Sequence, residues 1–209
     1  WTLREACHQV ARWRQRHPSL PSGILHIRLS GAELQQPDAL DHLRRVLGET
    51  GIRGDALRLH IDETAATHDT EATQTFCRAV KAEGVSIGIS DYGTGYGSLA
   101  FLRRLDIDFL QVNDSLVREA RADTQPTLLS ATVGLARALR LGVIFRGVSD
   151  TEQLALLSQF EGAALQGALL AAPLSEHDSW QWLDGMSEGT IPEYSGVWTF
   201  RHDADRSLT

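Results

Sequence analysis

The chain has only two cysteines in 209 residues, Cys7 and Cys77. Both lie in helical patterns without metal-like spacing, which excludes a disulfide framework and reads as buried reduced thiols in a cytosol-like compartment. An excess of positive charge is also lacking: 20 Lys and Arg stand against 27 Asp and Glu, for a net charge of −7. A broad basic face for nucleic acid is therefore not expected, although a local cationic pocket is compatible with that balance. No apolar run approaches the roughly 20 residues that span a bilayer, and no signal-like segment opens the chain. The segment is expected to be cytoplasmic and to make no membrane contact. Internal repeats and low-complexity stretches are absent too. What is present is 42% apolar and 22% charged residues, enough for one sizeable core.

In chain order, Leu3, Cys7 and Val10 fall at helical spacing, so the chain opens on an amphipathic helix that stops near Pro18. Strand and helix signals then alternate, which argues for parallel strands joined by crossover helices. The strands are expected at Ile24–Leu29, Leu57–Asp62, Val85–Ser90, Asp106–Asn113, Leu141–Gly147 and Ala163–Leu170. Pro37 suits the first turn of a helix striped with Leu40, Leu43 and Leu47, and Ala72, Phe76 and Val80 repeat the pattern up to Gly84. Pro126 opens another helix, Asp150 and Gln153 have capping-box spacing, and Ser175 caps a last helix bearing Trp180. Trp1, Trp13, Trp180 and Trp182 on the terminal helices read as packing, with a partner surface as the lesser alternative. Within Leu57–Asp62, Leu57, Leu59 and Ile61 point one way and Arg58, His60 and Asp62 the other. A polar face near the carboxyl end fits the mouth of a β/α barrel; an open doubly wound sheet is the alternative. After Met186 the chain turns polar. Its apolar piece Val197-Trp198-Thr199-Phe200 is either part of a flexible tail or an ordered strand that covers a gap.

The apolar strand Val85 to Ile89 runs into Ser90-Asp91-Tyr92-Gly93-Thr94-Gly95-Tyr96-Gly97-Ser98-Leu99. This stretch resembles the DDFGTGYSSL signature of EAL domains, the family of cyclic di-GMP phosphodiesterases and their inactive relatives. Further segments match in the family's order: Ile27-Arg28-Leu29-Ser30 resembles VNLS, Leu59-His60-Ile61-Asp62-Glu63 resembles LEITE, and Leu110-Gln111-Val112-Asn113 resembles LKID. Phe145-Arg146-Gly147-Val148-Ser149 resembles AEGVE, and Gln166-Gly167-Ala168 resembles QGY. The resemblance implies an α/β fold, a TIM-like (β/α) barrel of the EAL type. In the family the opening helix follows two strands that this chain does not contain. Residues 1–184 are therefore expected to form an N-terminally incomplete barrel, with 185–209 as a polar C-terminal tail.

The family's two-metal hydrolysis of a phosphodiester needs hard oxygen ligands around Mg²⁺ or Mn²⁺. At the matching positions stand Arg28 for the Asn of VNLS, His60 for the first Glu of LEITE and Ser90 for the first Asp of DDF. Gln111 and Asn113 replace the Lys and Asp of KID, and Arg146 the Glu of AEG; only Asp91, Glu63 and Gln166 keep the expected type. These exchanges make the pocket more positive than the family pattern. Arginine's planar fork donates two bonds to phosphate oxygens. The resemblance thus implies a degenerate, catalytically inactive domain that binds cyclic di-GMP without metal or other cofactor. The alternative is that Arg28 and Arg146 pair with Asp91, Glu63 or Asp62 and close the mouth.

The residues expected at the nucleotide are Arg28, Ser30, His60, Asp91, Gln111, Asn113, Phe145, Arg146, Gln166, Gly167 and Pro173. Phe145 is either a ring that stacks on guanine or a core residue. His60 is either a phosphate donor or a hydrogen-bonded barrel histidine. The implied output, as in FimX-type and LapD-type receptors, is a protein contact with a PilZ-like adaptor, another domain of the same polypeptide or a second copy in a homodimer. A protein-interaction scaffold that no longer binds nucleotide is the second reading and a residual phosphodiesterase the third.

Overall fold

Alternation of apolar and polar residues makes the first strands, and the fold follows from covering them. The computed structural model describes residues 2–16, 24–93, 99–119, 127–187 and 197–200. The order begins α1 (Thr2–Arg16), β1 (Ile24–Leu29), α2 (Gly31–Leu34), α3 (Ala39–Thr50), β2 (Leu57–Asp62), α4 (Glu63–His68), α5 (Thr70–Ala82) and β3 (Ser86–Tyr92). It continues with α6 (Leu99–Arg104), β4 (Phe109–Val112), α7 (Asp114–Glu119), α8 (Thr127–Ala138) and β5 (Gly142–Arg146). The last elements are α9 (Thr151–Leu157), β6 (Ala164–Gln166), α10 (Glu176–Ser187) and β7 (Val197–Phe200). All strands are parallel and the sheet runs β6-β5-β4-β3-β2-β1-β7. Parallel strands need crossovers, and the helices supply them. This is the expected α/β architecture of parallel strands joined by crossover helices.

The helices close over the sheet with Leu43 and Val46 of α3 and Cys77 and Val80 of α5, while Leu57, Leu59, Ile61, Ile87 and Ile89 are buried beneath them. Each fully buried aliphatic side chain contributes about 1.5–3 kcal/mol, so this layer dominates the stability. Asp150 accepts the Gln153 amide N–H at 2.8 Å, as the capping spacing predicts, and Ser175 accepts that of Asp178 at 3.1 Å. Trp13 and Trp180 meet edge to face at 6.2 Å, fastening α1 to α10 as packing. Trp1 and the Trp182 side chain lie outside the described residues, as do Pro18, Pro126 and the Thr94–Ser98 part of the glycine-rich motif.

Several expectations are corrected. β4, β5 and β6 are shorter than expected: Asp108, Gly147 and Val148 still make single backbone bonds to neighbouring strands, but the regular ladder covers only Phe109–Val112, Gly142–Arg146 and Ala164–Gln166. The helix expected to begin at Pro37 begins at Ala39. Of the two readings of Val197–Phe200 the ordered strand is the one formed: it is β7, which pairs with the outer edge of β1 in the register Ile24↔Val197 to Ile27↔Phe200. The rest of 185–209 beyond Ser187 lies outside the described residues.

Candidate functional site

Register places the polar residues of neighbouring strands side by side at the carboxyl ends. Arg28 of β1 stands opposite His60 of β2, Asp62 opposite Ser90 of β3, and Arg146 of β5 opposite Gln166 of β6. After Ile89 the β3–β4 register shifts, and Asp91 adopts φ 55, in the left-handed region that few non-glycine residues enter. This bulge turns the Asp91 carboxylate toward the arginines. Gly93, at φ 99, continues the turn and donates its N–H to buried Glu63 at 3.2 Å.

The Asp91 carboxylate is the centre of the arrangement. Arg28 Nη2 donates to its Oδ2 at 2.6 Å, Arg146 Nη2 lies 2.6 Å from its Oδ1, and Asn113 Nδ2 donates to the same Oδ1 at 3.0 Å. Arg28 also reaches Asp62 through Nη1 at 3.1 Å, and Arg146 lies 3.9 Å from Asp114. Ser90 donates to Asp62 at 3.2 Å. The closing pairs weighed as the alternative are therefore formed. A cleft of about 640 Å³ opens over them, bordered by Asp62, Glu63, Asp91, Asn113 and Arg146 at the strand ends and by Gly31, Gln35 and His68 beside α2 and α4.

Below the mouth lies a second layer. Gln111 donates its amide to Gln166 at 3.1 Å. His60 is buried and its Nε2 lies 2.8 Å from Nδ1 of buried His26, so it is a hydrogen-bonded barrel histidine, out of a ligand's reach. Burial first, then the charges of Arg28, Arg58 and Arg146, pulls its pKa down from 6.5 to about 3. Burial, His60 and Arg58 pull His26 down to about 2. Both imidazoles are neutral at ordinary pH.

Other expected positions have structural work. Ser30 caps α2 in a reciprocal box with Glu33: its hydroxyl donates to the carboxylate at 2.8 Å and accepts the Glu33 amide N–H at 3.2 Å. Phe145 is fully buried with its ring 5.5 Å from Phe160, which corrects the stacking role to a core one. At Gly167 a Cβ would come within 2.0 Å of the Val148 carbonyl oxygen, so the glycine permits two backbones to touch at the end of β6. Pro173 is exposed in the irregular stretch before α10. Asp62 and Asp114, absent from the expected nucleotide contacts, are part of the charged mouth. Nothing in the linear order singles out Asp114 beyond its place after Asn113.

The family's divalent ions need hard oxygen donors, and at this mouth the central carboxylate is already engaged by two guanidinium groups. Each Asp91 oxygen faces a guanidinium nitrogen at 2.6 Å, and the adjoining positions hold an amide and two fixed positive charges. Among the described residues no three His, Cys, Asp or Glu side chains gather around one point.

The EAL domain model matches residues 1–173, and the chain belongs to that family. It is 31% identical over 176 residues to the cyclic di-GMP phosphodiesterase NbdA of Pseudomonas aeruginosa, covering 83% of this chain and 22% of that protein. The chain thus spans less than a quarter of that relative. Among solved structures, the EAL domain of Mycobacterium smegmatis DcpA is similar with a TM-score of 0.81 at 27% identity, over 91% of this chain and 84% of the other. The Pseudomonas aeruginosa MucR phosphodiesterase in complex with c-di-GMP gives 0.77 at 29% identity, over 86% and 77%. No helix among the described residues is long and apolar enough to cross a membrane.

Proposed function

We propose that this chain is a catalytically inactive EAL domain that binds cyclic di-GMP without metal and passes the signal on through protein contacts. The observation that carries the reading is the convergence of Arg28 and Arg146 on one anionic group at the strand mouth. Two guanidinium forks that meet on a carboxylate have the donor arrangement that a phosphate takes. Family membership and the similarity to MucR, solved with c-di-GMP, support the ligand class. Loss of hydrolysis is supported by the donor set, which offers hard cations too few free carboxylate oxygens. Output through a PilZ-like adaptor, a neighbouring domain of the same polypeptide or a second copy rests on the resemblance alone.

Isothermal titration of cyclic di-GMP into the full chain in EDTA tests the reading, with a saturable heat as the expected result. No heat at high protein concentration would overturn it. A second reading, an interaction scaffold without nucleotide, is favoured by one observation: the arginines already have carboxylate partners. The third, a residual phosphodiesterase like the named activities of NbdA and MucR, requires linear pGpG to accumulate with Mn²⁺. Absence of product is expected.

A further inference from the structure

Asp91 is the residue that both arginines share. One guanidinium contacts each carboxylate oxygen at 2.6 Å and the Asn113 amide adds a third donor, so three donors surround one small anion. The same donors could surround two oxygens of a phosphate. The backbone takes an uncommon course to put the carboxylate there: the β3–β4 register slips between Ile89 and Tyr92, and Asp91 sits at φ 55. A plain continuation of β3 would require neither. The remaining contacts of the pair are longer, Asp62 to Arg28 at 3.1 Å and Asp114 to Arg146 at 3.9 Å, and neither carboxylate spans both arginines. Asp91 also borders the cleft, so an incoming anion and the carboxylate compete for one place.

We propose that Asp91 is an internal competitor: its carboxylate occupies the anion position between Arg28 and Arg146, and a ligand phosphate enters by displacing it. This rests on the reading that the arginine pair receives the phosphate of cyclic di-GMP. The affinity measured for the wild-type chain is then the intrinsic affinity reduced by the fraction of molecules in which the arginines are free. Removing the charge on Asp91 raises that fraction without adding any contact to the ligand.

The test compares wild type, Asp91→Asn and Asp91→Gly by isothermal titration in EDTA, with cyclic di-GMP and separately with inorganic pyrophosphate. Asparagine and glycine both accept a left-handed backbone, so the turn is kept, and circular dichroism verifies folding of each variant. A rise in cyclic di-GMP affinity of about tenfold or more in both variants supports the proposal. Equal affinity in all three overturns it while leaving the receptor reading in place, and so does weaker binding by the variants. If no chain binds cyclic di-GMP but the variants alone bind pyrophosphate, the competitor stands and the nucleotide reading falls. If nothing binds either probe, both fall.

Discussion

At the amino ends of the strands Lys81 bridges Asp106 and Asp108 at 2.6 and 2.9 Å, whereas at the carboxyl ends Arg28 bridges Asp62 and Asp91, and Arg146 bridges Asp91 and Asp114. The lower set is tied into the main chain, because Asp108 also accepts the Ile87 amide N–H at 2.9 Å. Arg58 lies over the Phe109 ring at 5.6 Å on the same side. The upper arginines hold on to side chains, and Arg146 and Asp91 border the cleft. Charges that satisfy backbone groups fasten the fold. Charges paired through side chains beside the cleft can exchange those partners for a ligand.

The sharpest way to test this contrast is to remove the upper cations. The double substitution Arg28→Ala and Arg146→Ala is expected to weaken cyclic di-GMP binding about a hundredfold or more, each phosphate contact being worth about 1.5–3 kcal/mol. Titration reads the loss, and Tm is expected to move by only about 2–4 °C for each kcal/mol lost, since both arginines are partly exposed. A chain that unfolds instead would show that the upper pairs hold the fold, and the contrast would fail.

Acid should act next, through the histidines between the two ends. His26 and His60 have folded pKa values of about 2 and about 3, below the ordinary 6.5, so the unfolded chain binds more protons throughout that interval. Their contribution is complete above pH 6.5 and is lost progressively as pH falls toward 3. Urea denaturation at a series of pH values measures the slope, and His60→Gln should flatten it. A slope unchanged by that substitution would mean that the pair does not feel the burial assigned to it. The smallest effect belongs to Lys81→Met, expected to cost less than about 1 kcal/mol because the pairs are partly solvated. Ligand affinity should stay the same; a change there would erase the difference between the two ends.

How much of this was legible varies by residue. β1 and β2 have the bounds that alternation predicts, since a half-polar strand marks its own ends. β4 to β6 were overdrawn because flanking residues such as Asp108, Gly147 and Val148 make single backbone bonds beyond the regular ladder, which the sequence does not distinguish from strand. The short helices α2, α4, α6 and α7 were not expected, although Ser30 and Glu33 carry a capping-box spacing that announces α2. At the site, Arg28, Asp91, Asn113 and Arg146 were named from their motifs and do meet. Ser30, His60 and Phe145 were named on the same grounds, but position gave them a cap, a buried pair and a core contact.

Local pattern alone determined the alternation of strands and helices, the parallel sheet and the presence of two arginines where the family carries an amide and a carboxylate. These are properties of neighbouring residues and of order along the chain. Only the tertiary structure decided which anion the arginines hold. That choice depends on a bulge after Ile89 and on strands separated by more than a hundred residues along the chain arriving within 2.6 Å of one carboxylate.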